Sequence, residues 1–157
     1  ADFTNLSTEY FAYKFVFEYL HPSTDAVSMD IYLSTNNGSS FISSAGAYRN
    51  CRNLTTRTAN VASGGNAATK ISLIESVGNT ASVEAVWGDL ILVNPDNASQ
   101  RTAMTWSLAY ANPASETSRS DGAAFRNNAE ANNAIRFQFS SGTISSGSIR
   151  VYGMRAA

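Results

Sequence analysis

The side chains that most often carry chemistry are scarce in this chain. His21 is the only histidine and Cys51 the only cysteine among 157 residues. A triad needs an imidazole held between a hydroxyl and a carboxylate. His21 stands beside Pro22 at the end of an apolar run, and no Gly-x-Ser-x-Gly elbow occurs. Its expected place is a surface turn. A lone thiol excludes an internal disulfide and a cysteine-rich zinc site. Cys51, near Arg49 and Arg52, reads as a small half-buried strand residue, not as an activated thiolate. Glycosidases set two carboxyl groups about 5–9 Å apart across a cleft. Here Asp25 and Asp30 bracket one apolar run and Glu84 and Asp89 another, as acids at strand ends or on exposed faces would. Asp96-Asn97 lacks the later Gly and Glu of a calcium loop, and Ser63-Gly64-Gly65-Asn66 opens no helix as a phosphate loop must. The expectation is no enzyme, no metal and no cofactor.

Candidate contact residues are easier to find. Arg136, Arg150 and Tyr152 face outward on two late strands and could form one strip, since Arg and Tyr are enriched at interfaces. The polar span 112–133 holds Arg119, Asp121, Arg126 and Asn127, which could meet a partner or a sugar. Tyr32 and Tyr152 are aromatics able to stack on sugar rings. Four Asn-x-Ser/Thr sequons, at Asn5, Asn37, Asn53 and Asn97, are expected by chance where Asn, Ser and Thr are so frequent.

The elements that must position these residues are strands, because period two dominates. In residues 10–20, Phe11, Tyr13, Phe15, Phe17 and Tyr19 share one parity, and His21-Pro22-Ser23 ends the run. Val27, Met29, Ile31 and Leu33 face one way in the next strand, against Ser28, Asp30 and Tyr32. Asn36-Asn37-Gly38 then predicts a tight hairpin whose return strand begins at Phe41. Residues 47–55 alternate weakly around Tyr48 and Leu54, and 60–68 reads as a loop about Gly64-Gly65. Residues 70–77 carry Ile71, Leu73 and Val77 inward, or Ile74 if the register slips. Val83, Ala85 and Trp87 are in phase in 82–93, with Gly88 a bulge candidate. Met104, Trp106, Leu108 and Tyr110 define an inward face in 102–110. The span 112–133 reads as a long loop anchored by Phe125, with room for a helical turn at 129–133. Ile135, Phe137 and Phe139 point inward, and after a turn at Ser145-Ser146-Gly147 so do Ile149 and Val151.

About eight strands in a single domain spanning 1–157 result, an all-β antiparallel sandwich of jelly-roll-like form. Composition agrees with a globular domain: 43% hydrophobic residues, 11% aromatic. Charged residues are only 15%, and 22 Ser, 13 Thr and 15 Asn supply the polarity instead. Eleven basic against twelve acidic residues leave a net charge of −1, which argues against nucleic acid as a partner. No run approaches the ~20 apolar residues of a membrane helix. The first residues lack the features of a signal peptide, and Ala1 suits a chain whose initiator Met was removed.

Three segments carry a resemblance: MDIYLSTNNGSSF (29–41), WSLAY (106–110) and NAIRFQFSSGTISSGSIRVYGM (133–154). Together they resemble small bacteriophage and prophage virion proteins of mostly unassigned function. The resemblance implies a β-sandwich associated with capsid or tail, and assigns no functional residues. It leads to the expectation of a structural virion protein, either capsid decoration or a tail or fibre component. Its partners would be other virion proteins and its own copies, a trimer being favoured. The alternative from another class is a carbohydrate-binding module recognising host surface glycans.

Overall fold

The computed structural model describes residues 1–155, which hold eleven strands and no helix. These are β1 (Asp2–Phe3), β2 (Ala12–Pro22), β3 (Val27–Ser34), β4 (Tyr48–Thr55), β5 (Asn60–Ala68) and β6 (Ile71–Val77). They continue with β7 (Val86–Val93), β8 (Ala103–Ala111), β9 (Thr117–Arg126), β10 (Ala134–Phe139) and β11 (Ile144–Met154). A four-stranded sheet runs β1-β10-β3-β6, and a seven-stranded sheet runs β11-β2-β7-β8-β9-β4-β5. Every pairing is antiparallel.

The core lies between the sheets and is built from the alternation itself. Phe15 and Phe17 on β2 meet Phe137 on β10 with ring centroids 5.1 and 5.2 Å apart. Met29, Ile31 and Leu33 on β3, and Met104, Trp106, Leu108 and Tyr110 on β8, are buried as their parity predicts. Each such side chain contributes about 1.5–3 kcal/mol on burial. Polar links also cross the gap. The Tyr48 hydroxyl accepts the Leu33 N–H and donates to the Ile42 carbonyl, both at 2.9 Å. Burial pushes this phenol up to about 12. Trp106 Nε1–H donates to Ser120 Oγ at 3.1 Å, and that hydroxyl donates across to the Leu73 carbonyl at 2.5 Å.

Several expectations are corrected. Eleven strands replace about eight because β1, β5 and β9 were not read from the sequence. The supposed loop at 60–68 is β5, paired along β4, and the supposed long loop contains β9, seated between β8 and β4. Their Gly, Ala and Ser residues hide the pattern, since backbone pairing and not apolar contrast holds them. No helical turn forms at 129–133. Asn37 and Gly38 do adopt positive φ (56° and 86°), and Ile42 N–H bonds back to the Leu33 carbonyl. No return strand follows: β6 pairs with β3 only as far as Ile31, and beyond it the Leu33 N–H goes to the Tyr48 hydroxyl.

Other corrections concern facing. Leu73, Ile74 and Val77 are all buried, because register shifts in the β3–β6 pair let both parities reach the core. Trp87 leaves the core, since β7 buries Val86, Leu90 and Leu92 instead, and Val83 is exposed before the strand begins. Gly88 has φ 130° and sits where the β2–β7 register shifts. Phe125 lies on the outer face of β9 under the Arg101 guanidinium, 5.2 Å from the ring centroid. Cys51 is exposed. β2 runs through His21 and Pro22 to face β11, and Ser145-Ser146-Gly147 lies within β11 as an irregularity, not a turn. Val151 keeps the inward parity but stays exposed at the sheet edge.

Candidate binding face

The outer face of the seven-stranded sheet is uncovered and can be read across in rows. One row runs Arg150, Val16, Asp89, Ser107, Asp121, Asn53, Ala62 from β11 to β5. The adjacent row runs Tyr152, Lys14, Ile91, Thr105, Ala123, Cys51, Gly64. Side chains therefore shrink towards β5. A shallow depression of about 800 Å³ results there, lined by Cys51, Asn53, Gly64, Asp121, Gly122 and Ala123.

Charge on this face is locally cancelled. Arg150 pairs with Glu18 at 2.8 Å, Lys14 with Asp89 at 3.0 Å and Arg119 with Asp121 at 2.6 Å. Arg119 also donates to Ser107 Oγ at 3.1 Å. Its guanidinium holds the Asp121 carboxyl below the usual carboxylate range. Glu18 is lowered by the Ser148 hydroxyl and then by Arg150. Exposed pairs of this kind are worth little individually, but they cancel charge over this part of the face; Arg49, the register partner of Phe125, and Arg101, over that ring, stand outside these pairs.

At one corner, Tyr19 and Trp87 stack with centroids 5.5 Å apart and planes 15° from parallel. Tyr19 is 63% exposed and held at φ 48°. Beside it Gly147 has φ 97°, and a Cβ there would lie 2.3 Å from the Tyr19 carbonyl oxygen. The bulge that breaks the β2–β11 register thus throws this ring outward.

The seven residues singled out from sequence divide three ways. Arg119, Asp121, Arg150 and Tyr152 share the outer face of the large sheet. Arg136 and Tyr32 are register partners on the small sheet, where Arg136 binds both carboxylate oxygens of Asp2 at 2.7 Å and stacks on Phe41 at 4.0 Å. The expected strip of Arg136, Arg150 and Tyr152 is therefore split, because consecutive strands β10 and β11 enter different sheets. Arg126 lies apart from both groups. It is buried, donates to the Ala47 carbonyl at 2.7 Å, pairs with Glu130 and lies over the Tyr48 ring.

Residues the sequence reading missed are Tyr19, which has the parity of the buried Phe15 and Phe17, Trp87, read in phase with Val83 and Ala85, and the whole of β5. The remaining polar residues are engaged structurally. His21 Nδ1 lies 2.9 Å from Ser145 Oγ, but that hydroxyl donates to the His21 carbonyl, and Nε2 has no partner. Asp30 is buried against Lys70 at 2.7 Å. Glu84, also buried, accepts the Thr80 N–H at 2.6 Å and the Ser115 hydroxyl at 2.8 Å. Among the described residues no group of three or more His, Cys, Asp or Glu side chains could hold a metal ion, and no helix is long and apolar enough to cross a membrane. Compared with known proteins, the chain matches no family model, no curated protein and no solved structure.

Proposed function

We propose that this chain is a structural bacteriophage virion protein, a capsid decoration or a tail or fibre component, working by protein–protein assembly and not by catalysis. The observation that carries the reading is the open seven-stranded sheet: a broad outer face on which most ions are cancelled in pairs, ending at β5 in an unprotected edge. Wet, near-neutral faces suit repeated contacts, and unpaired edges suit strand addition. The phage setting is supported by the three resembling segments, which lie largely in β3, β8, β10 and β11 and the turn after β3.

A jelly-roll-like winding is supported by the nesting of the pairs: β2 with β11, β3 with β10, β4 with β9, alternating between the sheets. The β7–β8 hairpin is inserted between the first and third of these pairs. Other virion proteins and further copies of the chain are its partners in this reading, and its place is the virion. Mass spectrometry of purified particles from a phage encoding the chain tests it. Stoichiometric presence is expected, and absence from the particles refutes it.

The exposed Tyr19–Trp87 stack favours a second reading, host glycan recognition, because flat aromatic surfaces stack on sugar rings. Its test is binding to a multivalent glycan array, with loss in Tyr19→Ala.

A further inference from the structure

The end strand β5 is built unlike any other edge in the molecule. Its nine residues, NVASGGNAA, contain no charge and no proline, and none of them is fully buried. Natural proteins commonly protect such edges with Lys, Pro, bulges or a covering segment. The opposite edge, β11, has some of those protections: register shifts between Ile144 and Ser148 around Gly147 (φ 97°), and the charged Arg150. In the small sheet, β1 is two residues long and β6 is broken by register shifts. Only β5 offers a long and neutral row of backbone groups, regular from Asn60 to Gly65 before a register shift against β4.

The direction of those groups follows from the ladder. Thr56 N–H bonds to the Ala59 carbonyl at 2.8 Å, which sets the parity of the β4–β5 hairpin. Hydrogen-bonded and non-bonded pairs alternate in an antiparallel ladder. Val61, Ser63 and Gly65 therefore bond to β4, opposite Leu54, Arg52 and Asn50. Asn60, Ala62 and Gly64 turn their N–H and C=O groups to the free edge. The same alternation on the far side of β4 gives the observed bond from Asn127 N–H to the Ala47 carbonyl at 2.9 Å. The strand is also held in place from behind, since Arg52 Nε donates to Ser63 Oγ at 3.1 Å.

We propose that β5 pairs antiparallel with β5 of a second copy of this chain, about a twofold axis at Ser63. In that register Ala62 faces Gly64 on either side of the axis, and about four interchain backbone hydrogen bonds form. No side chain in the register is larger than Val, so none obstructs the approach. A twofold axis normal to the sheet keeps the antiparallel order and leaves both outer faces on the same side. Joining β5 to a neighbour's β11 does not: with faces aligned, an antiparallel sheet of seven strands presents edges of the same sense, and the new pair is parallel. The edge therefore selects a twofold dimer over the trimer expected from the resemblance. The inference rests on the β5 edge alone and holds whether or not the chain belongs to a virion.

Sedimentation velocity on the purified chain is the test. A particle of twice 16.8 kDa is expected. Ala62→Pro removes an outward N–H that β4 does not use, so the fold is retained by circular dichroism. By symmetry two interchain bonds are lost, and dimerisation weakens about 30-fold or more. In a Cys51→Ser background, Ser63→Cys places two thiols on the axis in a non-hydrogen-bonded pair, where mild oxidation links the copies. A monomer at all concentrations, a trimer, or a dimer that survives Ala62→Pro and forms no Ser63→Cys cross-link overturns the proposal.

Discussion

Glu84 illustrates how single polar residues hold this molecule's loops. It is buried, yet its carboxylate is fully used: one oxygen takes the Thr80 N–H and the other the Ser115 hydroxyl. The Thr80 N–H is the larger cause holding its pKa below the usual glutamate value, against the opposing effect of burial. The sign of the linkage follows. A carboxyl with a depressed folded pKa binds protons more weakly in the native state, so its stabilisation is present above the unfolded pKa. It is lost as pH falls through the folded value. Acid destabilisation below about pH 4 is therefore expected. In Glu84→Gln the fall in urea midpoint between pH 7 and pH 3.5 should be smaller than in the unaltered chain, with a lower midpoint at pH 7. An equal pH dependence in both would refute this role. At this scale sequence reading reached acids that occur singly, but could not see that Glu84 is enclosed, because Thr80 and Ser115 come from two different loops.

At the scale of elements, β9 depends on a missing side chain. A Cβ on Gly122 would lie 2.2 Å from Trp106 Cζ2 and 2.7 Å from the Cys51 carbonyl oxygen. The glycine lets the indole lie flat between β8 and β9 and reach Ser120. Gly122→Ala should destabilise the fold by about 1–3 kcal/mol through overpacking, read from urea unfolding by tryptophan fluorescence. Ala123→Ser, one residue on and outward-facing, should stay within about 0.5 kcal/mol. The same glycine explains why β9 escaped detection. Strands β2, β3, β8 and β10 were legible because each buries alternate large residues against the opposite sheet. The sequences of β5 and β9 are chosen by close backbone approach, which leaves Gly, Ala and Ser and no apolar rhythm.

For the molecule as a whole, four strands cover seven, and this mismatch decides what is left open. No residue of β5 is fully buried and only Ala68 packs against the core, so most of the end strand projects beyond it. An abundance of Ser, Thr and Asn now has a place in the fold, on the outer rows and in the connections. The few charges also have one, since most ions on the outer face are cancelled in pairs. Which side of the sheet would meet a partner was not legible from sequence. Splitting Arg136 from Arg150 needed the switch of sheets between β10 and β11, and no local pattern encodes it.

The irregular course of β11 has a consequence for size. A sheet with two equally receptive ends can recruit copies without limit and become a fibril. Here the displaced register between Ile144 and Ser148, around Gly147, interrupts the first part of β11, so the two ends are not alike. Once β5 is occupied, the composite sheet of two copies terminates at both ends in that interrupted strand. Growth by edge addition is then capped at a pair, and the chain carries its own stop signal against polymerisation.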